Sequence, residues 1–219
     1  MRGAWTTGAT ILLAVLAVAR SASAPAPAVD TVMAAQAPAG AQRFVIVPGE
    51  SSVTYRVNET FIAEGNRLNT AVGVTTAVRG EIFVDRARPA ASRIGTVTID
   101  ISQFRSDSAR RDNAIRDRWL ESSRFPLAEF VPTQVQGLPA AYEEGREVPV
   151  QITGNLTIRT VTRLVTFDAQ VKLEGTTLVV TGRTTIRMTD FGFDPPSILG
   201  ILRAENEARL EFRFVARPQ

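Results

Sequence analysis

From Gly154 to Val171 the chain reads GNLTIRTVTRLVTFDAQV, and its apolar positions recur with period two. Leu156 and Ile158 share one face, opposite Asn155, Thr157 and Arg159. After a break at 159–162, Val165, Phe167, Ala169 and Val171 resume the alternation against Thr166, Asp168 and Gln170. Successive side chains of a strand point to opposite faces, so this spacing predicts two half-buried strands joined as a hairpin. Similar alternation predicts strands over 44–57 (interrupted at Pro48-Gly49), 72–84, 97–101, 127–135, 178–188 and 205–216, eight in all with the hairpin. In the 72–84 strand, Val74, Val78, Ile82 and Val84 are expected on one face. Residues 59–70 read as a loop, although Phe61, Ile62 and Leu68 make it more apolar than a solvated loop requires.

One segment departs from this period. SARRDNAIRDRWL is expected to form a helix capped by Asp107 and running to about Leu120, with Ile115, Trp119 and Leu120 as a narrow apolar stripe. Phe125-Pro126 stops it. Eight strands with one oily face each must hide those faces together, and a closed barrel does so without leaving an edge. The expected fold is therefore all-β: an eight-stranded antiparallel up-and-down barrel with one amphipathic helix across an end or against the wall. Periodicity alone also admits a β-sandwich.

Composition narrows the chemistry. The 219 residues contain no cysteine and no histidine, which removes disulfides, thiolate nucleophiles, Cys/His metal sites and imidazole bases. No metal or cofactor is expected. Lys172 is the lone lysine among 25 basic residues. No basic face or aromatic RNA-binding motif accompanies the arginines, so no nucleic-acid partner is expected. Residues 1–24 read as a secretory signal, with Arg2 ahead of an apolar run from Ala9 to Ala19 and small residues after it. Removing it takes Arg2 and Arg20 away and leaves 23 basic against 22 acidic residues. The Ala/Pro-rich stretch 25–42 reads as a flexible tether and 43–217 as the folded domain. The protein is expected to be exported, to the periplasm or beyond the cell.

Three groups of residues are candidate sites. The strand faces assigned inward carry Tyr55, Val57, Val74, Val78, Val97, Ile99, Leu156, Ile158, Phe167, Ala169, Val180, Ile186, Leu210, Phe212 and Phe214. Phe191, Phe193, Ile198, Leu199, Ile201 and Leu202 form an apolar loop bracketed by Gly and Pro, either a plug over the barrel end or a lid through which an oily ligand passes. Arg110, Arg111 and Arg116 sit in a run of alternating charge that reads as a salt-bridged helix face or as contacts to a ligand head group. Catalysis by paired carboxylates needs two acids converging on one bond, and Asp100, Asp168, Glu207 and Glu211 fall on outward faces. An enzyme is not expected.

PGESSVTYRV, VGVTTAVRGEIFVD around Gly80, SDSARRDNAIRDRWLESSRFPLAEF, GNLTIRTVTRLV and the late DFGFDPP together resemble, in order, the YceI-like family of secreted bacterial proteins, over about 44–216. The pattern departs from the family twice. A histidine common before the first strand's serine is absent, and Thr160 stands where the hairpin turn usually has glycine, which suggests a turn without a left-handed residue. The resemblance implies a lipocalin-like barrel holding a polyisoprenoid, isoprenoid quinone or fatty chain in an apolar lumen, for transport or storage, with transient contact at a membrane surface. An eight-stranded barrel is just wide enough either to be filled by its own side chains or to hold one slender ligand. A filled barrel serving the envelope, and an enzyme on a lipid, remain the alternatives. The oligomeric state is open, a homodimer included.

Overall fold

The computed structural model describes residues 40–219, so the expected signal peptide and most of the expected tether lie outside the described residues. Thirteen strand segments follow one another: β1 (Gln42–Ile46), β2 (Ser52–Phe61), β3 (Arg67–Thr75), β4 (Val78–Arg79), β5 (Glu81–Val84), β6 (Arg93–Ile94), β7 (Val97–Asp100), β8 (Leu127–Gln136), β9 (Glu147–Ile158), β10 (Val161–Glu174), β11 (Thr177–Arg187), β12 (Ser197–Ile198) and β13 (Leu202–Pro218). Helix α1 (Ala109–Ala114) lies between β7 and β8.

Several segments are pieces of one longer stave. β1 and β2 are separated at Pro48-Gly49, β4 and β5 by Gly80 alone, and β6 and β7 at Gly95-Thr96. Joined in this way, with β3 running on through Thr76-Ala77 into β4 and the two-residue β12 set aside, the pieces make eight staves, and their antiparallel pairings form a ring. β13 lies against β1 and β2, β2 against β3, β1 against β5, and β5 against β6. β4 then lies against β7, and β7, β8, β9, β10, β11 and β13 follow as consecutive neighbours. Closure thus passes through Gly80, where an added Cβ would lie 3.1 Å from both Ile46 Cδ1 and the Thr96 carbonyl oxygen. The expected barrel is the observed one, and the sandwich is excluded by this ring.

Three local expectations change. The stretch 59–70 is not a loop: β2 and β3 continue to a tight tip, with a 3-10 turn at Ile62–Glu64 and left-handed Gly65 and Asn66. The 72–84 stave does not keep one face. Ala71 and Thr75 are buried, but so is Val78, three residues after Thr75, so the parity switches at Thr76-Ala77. There the Thr75 hydroxyl accepts from the Ala77 N–H, and the stave changes partner from β2 to β7. Val74 consequently faces outward and is 37% exposed. The β9–β10 turn does hold a left-handed residue, Arg159 at φ 57°, despite the missing glycine. Its guanidinium pairs with Glu121, itself left-handed at φ 47°. Such conformations cost a non-glycine residue on the order of 1 kcal/mol, so this ion pair opposes the strain at both positions.

The helix also differs in detail. Ser108, not Asp107, is the N-cap and accepts from the Arg111 N–H. After α1, residues Ile115–Trp119 form a π-turn, in which the Leu120 N–H donates to the Ile115 carbonyl at 2.8 Å. That wider turn places Ile115, Trp119 and Leu120 on one side of the segment, the predicted stripe.

Candidate ligand-binding lumen

Three inward-facing aromatic rings settle over glycines. Tyr55 is paired with Gly73 and Phe212 with Gly182, and a Cβ added at Gly182 would lie 2.5 Å from Phe212 Cζ. At Gly154 it would lie 2.7 Å from Phe130 Cζ. The β8 register slips beside it, between Pro132 and Gln134, where a proline without an N–H interrupts the ladder. The rings lie against the wall because glycine leaves them room there. Along it, Phe130 and Phe167 meet edge-on at 5.2 Å, Phe167 and Phe212 at 5.4 Å, and Phe212 stacks on Phe214 at 4.4 Å.

What remains inside is a cavity of about 170 Å³, lined almost wholly by apolar side chains. The interior is therefore not filled by its own residues. Of the lumen candidates, Tyr55, Val57, Val97, Ile99, Leu156, Ile158, Phe167, Val180, Ile186, Leu210, Phe212 and Phe214 line this cavity. Val78 and Ala169 are buried in the surrounding core, and Val74 is outside, for the reason given above. At one end the cavity is roofed by Phe104, Ile115, Trp119, Leu120, Phe193 and Pro196, from the turn after β7, the helical segment and the late loop.

The late loop is divided between roles. Phe191 is 2% exposed and belongs to the core, not to a gate; a left-handed Gly192 follows it. Phe193 lines the cavity. Ile198 and Leu202 pair across a short hairpin whose tip carries Leu199, 99% exposed, and exposed Ile201. The tip meets that of β2–β3, where the Ile62 N–H donates to the Ile201 carbonyl at 2.8 Å. Ile62, Leu68, Leu199 and Ile201 are thus exposed aliphatic residues on two adjoining tips. These tips project two or more residues past Glu59 and Ala204, which still line the cavity.

The expected head-group arginines do not line the cavity. Arg110 is exposed, and Arg116 donates to the Ser102 carbonyl and to Asn113. Arg111 donates to Glu59 at 3.2 Å and pairs with Asp107. Burial works against its charge, but those two carboxylates outweigh burial and hold its pKa above the ordinary arginine value. The charged residues that do line the cavity are Glu211, paired with Arg56, and Glu59, 6% exposed, which also accepts from Asn69 at 3.1 Å. Buried Asp112 beside it accepts from the Ser106 N–H and hydroxyl. Burial, reinforced by Asp112, pushes the Tyr55 phenol up, so it stays protonated. Arg111 is thus already engaged by Glu59 and Asp107 at this end of the lumen. Glu59 was legible by parity, two residues after Val57, but its charge reads as the onset of a loop. Its pairing with Arg111, 52 residues away, has no sequence signal. Among the described residues, no cluster of three or more acidic side chains is placed to hold a metal ion.

An up-and-down barrel closed around an apolar cavity, with a helix and loop across one end, defines a lipocalin-like barrel protein. The profile of the YceI-like domain matches residues 44–216, and the chain belongs to that family. A Protein YceI of Salmonella newport is 34% identical over 97 residues, 44% of this chain and 46% of that one. A UPF0312 protein of Enterobacter is 33% identical over a segment of the same length. The matched chain thus spans about half the length of these curated relatives. A polyisoprenoid binding domain from Saccharophagus degradans implicated in plant cell wall breakdown superposes with a TM-score of 0.60 at 12% identity, over 80% of this chain and 98% of that one. BcnA of Burkholderia cenocepacia does so with a TM-score of 0.58 at 20% identity, over 78% and 98%. These structures share the fold.

Proposed function

We propose that this protein is an exported carrier that holds one long apolar chain, of isoprenoid or fatty type, in its lumen for transport or storage. The observation that carries this reading is the apolar cavity, roofed at one end by side chains of a short helical segment and a loop and not by the sheet. Family membership and a fold neighbour described as a polyisoprenoid binding domain support it. Removing a methylene from water contributes about 0.8 kcal/mol, so a long chain binds well whatever its head. Such chains reside in membranes, however, and transfer from bilayer to lumen is nearly neutral in hydrophobic terms. Loading therefore takes place by docking at a lipid surface, and the aliphatic tips beside the mouth are suited to that contact. The reading involves no bond-making step and no cofactor.

Native mass spectrometry of the purified protein, followed by organic extraction and lipid identification, tests the reading. A bound prenyl or fatty chain is the expected result. An empty protein that also takes up no such lipid from vesicles overturns it.

A further inference from the structure

A second cavity, of about 90 Å³, adjoins the first. Its walls include Val135, Leu138, Val148, Leu173 and Leu178, at the end of the barrel away from the helix. Ile82, Ile94 and Val180 line both cavities. Ile82 and Ile94 are cross-strand partners on one wall, and Val180 comes from a different stave. The three residues make a waist between a near and a far chamber.

The far chamber is closed by the connection between β8 and β9, and its polar groups are already engaged. The Tyr142 hydroxyl donates to Glu144, which also accepts from the Gly175 N–H, and lies 3.2 Å from the Leu173 carbonyl oxygen. Arg86 lies over the Tyr142 ring and donates to the Gly175 carbonyl at 2.7 Å. Arg146 is paired with Glu143, and Asp85 with Arg88. An apolar chamber whose polar rim is internally satisfied suits the hydrocarbon end of a ligand better than its head.

We propose that the far chamber, entered through the waist of Ile82, Ile94 and Val180, sets the length of chain this protein holds. The chain's far end passes the waist and stops on Leu138 and Tyr142. This rests on the carrier reading above and adds a length limit to it. Along β11 and the turn after it, Leu178 in the far chamber and Met188 in the near one are ten residues apart. At ~3.3 Å per residue and a tilt of roughly 40°, they define a path of roughly 25 Å along the axis.

The test is displacement of a fluorescent fatty-acid probe by straight-chain primary alcohols of increasing length. Wild-type affinity is expected to rise up to about fourfold per added methylene until the chain reaches the floor, and then to level off. Ile94→Phe narrows the waist at a half-buried position and is expected to level off at a shorter chain. Leu138→Trp fills the far chamber from the connecting segment, without touching the sheet, and is expected to level off between the two. Should Ile94→Phe fail to fold, Leu138→Trp still decides the matter. Variants that are folded by circular dichroism yet follow the wild-type curve overturn the length limit while leaving the carrier reading intact. A wild-type protein that binds alcohols of no length overturns the carrier reading, and the length limit with it.

Discussion

Gly182→Ala should damage this barrel more than its small volume suggests. The added Cβ would lie 2.5 Å from Phe212 Cζ, 2.6 Å from Cε1 and 3.2 Å from Ala169 Cβ. Ordinary carbon contacts are about 3.5–4.0 Å, so the ring has to move by about an ångström. It cannot do so freely, because Phe214 is stacked on it and Phe167 abuts its edge. Overpacking of this kind costs about 1–3 kcal/mol. Alanine is better than glycine in a strand by about 0.5–1 kcal/mol, which leaves a net loss of about 0.5–2 kcal/mol. For a domain of this size that lowers Tm by about 1–8 °C. Differential scanning calorimetry of Gly182→Ala, Phe212→Leu and the double variant measures it. The double variant should recover most of the loss caused by the alanine, since leucine vacates the space that the Cβ needs. A Gly182→Ala protein as stable as wild type, or a double variant showing plain additivity, would refute the argument that the glycine exists to seat the ring.

Other outcomes follow from features at the two ends of the barrel. Arg159→Ala removes the closer of the two arginines that meet Glu121, leaving Arg124 at 3.9 Å, while keeping a left-handed non-glycine backbone, and should cost about 1–2 kcal/mol in urea unfolding. Arg159→Gly should cost less, because glycine relieves the strain that alanine keeps. Asp112→Asn weakens the charge-assisted acceptor of the Ser106 N–H and hydroxyl, and should cost about 1–2 kcal/mol in the same assay. The Asp85 carboxyl is held below its ordinary pKa by the Arg88 backbone N–H and then by the Arg88 guanidinium. A depressed carboxylate contributes stability that is complete above the unfolded pKa, about 3.9, and is lost as pH falls through the lower folded value. Thermal unfolding followed from neutral to strongly acidic pH should therefore show a smaller acid loss in Asp85→Asn than in wild type. Leu199→Asp combined with Ile62→Asp changes exposed tips; it should slow lipid transfer from vesicles and leave the thermal midpoint unchanged.

Alternation located the strands and, where a stave runs unbroken, the lumen as well. Phe167, Val180 and Phe212 lie on uninterrupted lengths of β10, β11 and β13, and a period of two was enough to place them inside. Val74 was misplaced because a side-chain hydrogen bond, from the Ala77 N–H to the Thr75 hydroxyl, accompanies a change of strand partner that no local pattern records. The stripe of Ile115, Trp119 and Leu120 was visible as helical spacing, but its use as a roof depends on where the β7–β8 connection folds back. Of the two readings of the arginine run, Arg111 takes the salt-bridged one for an electrostatic reason: it reads as an available cation until Glu59 and Asp107 are brought against it. Partners that far apart in sequence are chosen by the tertiary fold.

The closure of the ring also bears on how the chain acquires its structure. β13 pairs with β1, β2 and β11, so Arg213 meets Ser52 across more than half the chain. Until that last stave docks, the barrel is an open curled sheet with two unpaired edges and a wetted interior. Contacts of such high sequence separation pay their loop entropy before any reward arrives, and all-β domains built this way fold in roughly milliseconds to seconds. The joining of first and last staves is therefore the expected late event in folding. A polypeptide lacking β13 should behave as an aggregation-prone intermediate, not as a smaller barrel.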